Sequence, residues 1–163
     1  LAVKDTVFRI YRDVRFSKDK SPYKIAFGAY MAPGGRKSML PGHYFHIEPD
    51  NSFLAGGSHN PAGDRLKSIR SEIYYNSSEF NSIINASSFK KLFGELSGDK
   101  LVRPPIGFPK DFDDIELLKF KEYIVLHKIK DSVVTRPDFL NISVDIFEKM
   151  NPFIAFLNRA LRS

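Results

Sequence analysis

The apolar residues of this chain change their spacing partway along it, and that change limits the fold more than any other feature. Over residues 8–57 they recur at every second position; over 61–93 and 153–161 they recur every three or four. A period of two marks a strand with one buried face, and a period near 3.6 marks an amphipathic helix. A chain that writes strands first and helices afterwards, rather than alternating them, belongs to the α+β class. Its strands are antiparallel neighbours, because short turns join that arrangement most simply.

In detail, Phe8, Ile10, Val14 and Phe16 alternate with Arg9, Tyr11, Asp13 and Arg15, which predicts a half-buried strand interrupted by Arg12. A polar turn at 17–22 leads to a second run, with Ile25, Phe27, Ala29 and Met31 on one face and Ala26, Gly28 and Tyr30 on the other. Residues 43–48 and 53–57 predict a hairpin around Pro49-Asp50-Asn51-Ser52, Phe45 and Ile47 pointing one way and Tyr44, His46 and Glu48 the other. Helices follow. Asn60-Pro61 predicts the start of one with a Leu66, Ile69, Ile73 stripe. Ser77 or Ser78 heads another with Phe80, Ile83 and Ile84, and Ser87 a third with Phe89, Leu92 and Phe93, stopped by Gly94. A short helix is expected within 113–121. The β-branched run Tyr123–Ile129 is expected to rejoin the sheet. Pro152 either starts the last helix or bends a longer one beginning near Ser143. The expectation is a single α+β domain over residues 1–163: an antiparallel sheet of four to six strands with helices packed mainly on one face.

A chain of 163 residues, 42% of them hydrophobic and including 15 Phe and 7 Tyr, has the material for a real core. With no Cys, it has no disulfide scaffold, thiol nucleophile, iron–sulfur cluster or Cys-ligated zinc. The same absence fits a reducing compartment, and the expected location is the cytoplasm. No apolar run approaches the roughly 18–20 residues of a membrane helix. There is no GxxxxGK[ST] loop, GxGxxG turn, HExxH, GxSxG or EF-hand loop. The net charge of +6 is concentrated early, since residues 1–50 hold nine Lys and Arg against five Asp and Glu. Such a patch attracts anions of many kinds.

Two constellations carry candidate chemistry. The stretch Arg12–Lys24 is dense in Arg, Lys and Asp, and its Arg15, Lys18, Lys20 and Lys24, with Asp13 among them, form a turn suited to a phosphate or carboxylate. The polar faces of the strands bring Arg9, Tyr11, Asp13, Arg15, Tyr30, Tyr44, His46 and Glu48 to one surface, with room above Ala26 and Gly28. That surface is a candidate ligand floor. His46 and Glu48, two apart on one strand, are the candidate catalytic acid and base. His43 falls on the opposite face from His46, so with His59 in a loop no metal set of three or four ligands is assembled. His127, inside an apolar strand, reads as structural. Phe8-Arg9-Ile10-Tyr11-Arg12 mixes aromatic and basic residues but matches no RNA-recognition or helix-turn-helix pattern.

The stretch Arg9–Lys24 (RIYRDVRFSKDKSPYK) resembles the hallmark of an uncharacterised bacterial and fungal family, domain of unknown function 2461. Gly42–Pro49, Gly56-Gly57, Pro61 with Leu66–Arg70, and Arg103–Phe108 extend the resemblance over roughly residues 7–161. The sequence departs from the family pattern at Ser58-His59-Asn60, where an aromatic usually precedes the Pro. The resemblance implies a helical segment ahead of the hallmark, so a chain beginning almost at the hallmark is expected to lack it. It implies no activity, cofactor or catalytic residue. The reading that follows is a domain binding an anionic small molecule at the basic turn and polar sheet face, through Tyr11, Asp13, Arg15, Lys18, Lys20, Lys24, Tyr30 and Tyr44. The alternatives are a hydrolase- or transferase-like enzyme using His46 and Glu48, and a protein- or nucleic-acid-interaction module. No cofactor, membrane or metal is expected.

Overall fold

A computed structural model describes residues 2–16 and 18–162; Leu1, Ser163 and Ser17, the first residue of the expected turn, lie outside them. After a short helix α1 (Val3–Thr6), strands β1 (Phe27–Met31), β2 (Gly42–Ile47), β3 (Ser52–Ser58) and β4 (Tyr123–Ile129) form one antiparallel sheet in the order β1-β2-β3-β4. Between β3 and β4 come α2 (Gly63–Tyr75), α3 (Ser77–Ile84), α4 (Ser87–Phe93) and α5 (Ile115–Leu118). After β4 come α6 (Asp131–Val134) and the long α7 (Phe139–Arg162). The fold is thus α+β, as the change of period predicts.

Strand register sorts the side chains. Phe45 stands opposite Leu54, and Leu54 opposite His127, so Phe45, Leu54, Tyr123, Val125 and Ile129 share one face. Helix α7 lies against that face. An ideal Cβ on Gly56 would come within 2.7 Å of Met150 Sδ, so the bare backbone at this position is what lets α7 approach. Phe45 meets Phe139 (ring centroids 5.6 Å apart), and His43 meets Phe147 (4.9 Å). The core behind is largely aromatic. Phe80 packs on Phe156 (4.9 Å) and Phe153 (6.0 Å), and Phe89 on Phe93 (4.8 Å). Ile69 and Ile73 of α2 have no exposed surface, as their stripe requires. At the rim Arg159 of α7 pairs with Glu72 of α2 and Glu79 of α3, both at 2.6 Å.

The hairpin turns where expected: Asn51 N–H donates to Glu48 O (3.0 Å), and Asp50 takes φ 60°. The Asp131 carboxylate holds that turn by accepting the Asp50 N–H at 3.0 Å. Helix boundaries differ slightly. The first long helix starts at Gly63 with Ala62 before it, because Asn60 adopts φ 45° and gives its N–H to Glu122 instead of capping. The last helix is the longer of the two expected forms and continues through Pro152. Pro152 and Glu148, whose carbonyl loses its N–H partner there, are both exposed, so the gap opens to solvent rather than to the core.

The first expected strand is a correction. Residues 8–16 are not a strand of the sheet. Val7 bridges Ala29, Phe8 N–H donates to Gly28 O (2.9 Å), and the chain then leaves β1 and folds back on itself. Arg12 N–H bonds Pro22 O and Lys24 N–H bonds Ile10 O, both at 3.0 Å, making a narrow arm from residue 8 to residue 25. Phe16 is 95% exposed and Ile25 73%. The expected packing of Phe8, Ile10, Phe16, Ile25 and Phe27 against the helices therefore fails. Alternation tells which residues share a face, but burial needs a second layer, and the helices lie over β3 and β4.

Candidate functional site

The face turned away from α7 carries Gly28 and Tyr30 of β1, Tyr44 and His46 of β2, Phe53 and Ala55 of β3, and Ile124 and Leu126 of β4. No described helix covers it. It forms the floor of a cleft of about 810 Å³, walled by Phe8 and Phe27 from the arm side and Met39 and Leu40 from the β1–β2 connection. The floor is low in the middle because small residues lie there. An ideal Cβ on Gly28 would stand 2.7 Å from Tyr44 Oη, so Gly28 is what gives the Tyr44 ring its place. Phe8 reaches over this gap and meets Tyr44 edge-on at 6.2 Å.

The polar groups of the floor are organised around His46. Its ring stacks on Phe53, with centroids 4.6 Å apart and planes 17° from parallel. His46 Nε2 donates to Glu48 Oε2 (2.9 Å), and the Tyr44 hydroxyl donates to His46 Nδ1 (3.0 Å). A carboxylate only accepts, so in the neutral imidazole the proton sits on Nε2 and Nδ1 is the acceptor. Asn51 Nδ2 holds Glu48 from behind at 2.9 Å. The bonds from His46 and then Asn51 keep the Glu48 carboxyl below the usual glutamate range. Burial, and then the negative charge of Glu48, raise the Tyr44 phenol above the usual range. Tyr30 donates its hydroxyl to Leu40 O (2.6 Å), tying the cleft wall to β1, and burial raises its phenol too.

Of the residues singled out in the sequence, Tyr30, Tyr44, His46 and Lys24 line the cleft, and Glu48 stands behind His46. Tyr11, Asp13, Arg15, Lys18 and Lys20 do not line it. Tyr11 packs on Tyr23 along the arm (5.6 Å), and Arg15 forms a two-pronged pair with Asp13 at 3.0 and 2.7 Å. Lys20 Nζ donates to Val14 O (2.7 Å), Lys18 is exposed, and Arg12 pairs with Asp19. The basic turn thus satisfies much of its charge internally. Residues with no signal in the sequence complete the site. Phe53, Ala55, Ile124 and Leu126 are unremarkable strand residues until the register aligns them. At the far end His59 Nδ1 lies 2.7 Å from Glu122 Oε2, a pair between residues 63 positions apart.

His43 and His127 face the helices. His43 Nε2 lies 3.2 Å from Phe147 O, and His127 Nδ1 lies 2.8 Å from Leu92 O. Among the described residues no group of three or more His, Asp or Glu is gathered for a metal, and no helix is long and apolar enough to cross a membrane.

An α+β domain with an open, aromatic-floored sheet face is the class that fold and site define. The family model described as Conserved hypothetical protein (DUF2461) matches residues 1–156, and the chain belongs to that family. No curated protein and no solved structure shows significant similarity to it.

Proposed function

We propose that this chain binds an anionic small molecule in the cleft on the open face of its sheet. The observation that carries the reading is the cleft itself: about 810 Å³ above an aromatic and aliphatic floor, with Arg9 and Lys24 on its rim. That volume is in the range of metabolite sites, where apolar walls bury the body of a ligand and a few polar groups orient it. Among the described residues neither Arg9 nor Lys24 forms an ion pair, in contrast to Arg12 and Arg15. Arg9 lies over the Tyr11 ring at 6.0 Å and its charge acts on Asp13, so Lys24 is the cation with its charge most available to a ligand.

The test is calorimetric titration of the chain with a panel of aromatic and aliphatic carboxylates and phosphates. Lys24→Met is expected to weaken binding of a hit about tenfold, the worth of one charge-assisted hydrogen bond, whereas Arg15→Ala and Lys20→Ala leave it unchanged. Absence of binding by every anion, or equal losses in all three variants, overturns the proposal.

One observation favours acid–base chemistry as a second reading: the unbroken chain Tyr44–His46–Glu48, with hydrogen bonds of 3.0 and 2.9 Å. Both ring nitrogens of His46 are engaged, so the end of the chain that meets a ligand is Tyr44 Oη. A proton taken from the ligand by Tyr44 Oη would release the phenol proton to His46 Nδ1, and Glu48 would hold the imidazolium. Exchange of hydrogens of a bound anion with D2O, followed by NMR, is expected in the native chain and lost in His46→Gln. An anion that binds without exchange in either chain counts against this reading.

A further inference from the structure

The cleft has two polar ends of opposite sign. One end holds Arg9, Lys24 and His46. It is placed there because Phe8 N–H bonds Gly28 O, Gly28 stands opposite His46, and Lys24 N–H bonds Ile10 O just beyond. The other end holds His59 and Glu122, beside Ser58 and Ser97. Along β3, His46 is level with Phe53, and the far end begins at Ser58, five residues on. At about 3.4 Å per residue the ends lie about 17 Å apart along the strand direction. Between them the floor is Tyr44, Ala55, Ile124 and Leu126.

Glu122 is fixed in place rather than trailing into solvent. Its Oε2 accepts from Asn60 N–H (3.2 Å) and faces His59 Nδ1 (2.7 Å), and only 22% of its side chain is exposed. Gly98 packs on it so closely that an ideal Cβ there would come within 2.7 Å of Glu122 Cγ. Among the described residues Glu122 Oε1 accepts no hydrogen bond. A carboxylate oxygen held on a cleft wall with spare acceptor capacity calls for a donor. His59, its cationic partner when protonated, is 80% exposed, where solvent weakens the pairing.

We infer that the cleft takes an elongated molecule, anionic at one end, apolar along its body, and carrying a hydrogen-bond donor, a hydroxyl or an ammonium, at the other. This rests on the cleft being the binding site proposed above and names the class of its ligand. The anion meets Lys24 and Arg9, the body covers the Ala55–Leu126 floor, and the donor meets Glu122 Oε1. A second anion at the far end is disfavoured by the Glu122 charge, so the site distinguishes the two ends of its ligand.

The experiment is calorimetric titration with dodecanoate, ω-hydroxydodecanoate, ω-aminododecanoate and dodecanedioate, each below its micellar concentration. These chains are close in extended length to the separation of the ends. The expected order is the two donor-bearing acids about tenfold tighter than dodecanoate, and dodecanedioate weaker than dodecanoate. In Glu122→Gln the advantage of the ammonium and the penalty of the second carboxylate both vanish. If only the hydroxyl keeps its advantage in that variant, the donor site is neutral in kind; if the ammonium alone showed one in the native chain, it is ionic. Four equal affinities, or an ammonium advantage and a diacid penalty that both survive Glu122→Gln, overturn the inference while leaving anion binding intact. Binding of short anions with no binding of these four overturns the elongated ligand alone. Failure of every anion removes the binding site with it.

Discussion

On one face of the sheet Leu54, Tyr123 and Val125 have no exposed surface, pressed under α7 and the aromatic cluster of α3 and α4. One residue along the same strands, Ala55, Ile124 and Leu126 look into an open cleft. The backbone, twist and hydrogen bonds are common to both, so the contrast comes entirely from what the alternate positions carry and what lies above them. The covered face is large, apolar and interlocked, which holds the fold. The open face is small in its middle and polar at its ends, which leaves space and orientation for a ligand. If the open face binds as proposed, stability and binding fall to different residues, and substitutions should separate them.

The largest effect is expected on the covered side. Phe153 is fully buried against Phe80 and Phe89, so Phe153→Ala should cost about 3–5 kcal/mol in urea unfolding, with affinity unchanged in whatever fraction stays folded. Gly56→Val is next. Its added carbons meet Met150 and Ile154, and pushing α7 outward should cost about 1–3 kcal/mol. The matching change across the sheet, Leu126→Ala, should cost about 1 kcal/mol or less because that side chain already touches solvent, while weakening an apolar ligand. Equal losses of stability for the two would erase the distinction between the faces.

The faces should also part with pH. Burial holds the His43 imidazole below the usual range against partly compensating bonds to Phe147 and Asn151. The unfolded chain then takes up that proton first, so stability falls as pH drops through and below about 6.5. His43→Gln should flatten this limb. Glu48, on the other face, has its carboxyl lowered by His46 and Asn51, so its contribution is complete above the usual glutamate value near about 4.3. It is lost as pH falls from there through the folded value, and Glu48→Gln should flatten that lower limb only. Melting temperatures across pH for both variants check the assignment; both variants altering the same limb would undo it. The smallest effect is expected where neither face is involved. Phe16→Ser, on the exposed tip of the arm, should change stability by less than about 0.5 kcal/mol in the same unfolding assay.

Helices α2, α3, α4 and the C-terminal part of α7 are readable in the sequence because their stripes must all meet one core, strands β2 and β3 because their turns and alternation agree, and β4 because of its β-branched run. The shared face of Tyr30, Tyr44 and His46 is readable too, since parity along paired strands is a local property. The arm at 8–25 shows where such reading stops. Its alternation is broken only at Arg12, yet Phe16 ends in solvent and Phe8 ends over Tyr44, in the cleft. The basic hallmark stretch, which carries the family resemblance, shows a related limit: Arg15 and Asp13, two residues apart, pair with one another and do not line the cleft.

Sequence alone determines the class of this protein: period and turn chemistry act over a few residues, and they write the strands, the helices and their faces. Tertiary structure alone decides which face stays uncovered, and with it the site. Setting Glu122 beside His59, and Ile124 and Leu126 beside Ala55, needs β4 to return across 64 intervening residues and pair with β3 in one register. That pairing is fixed by the packing of the helical layer on the other side, to which no local pattern at the cleft residues corresponds.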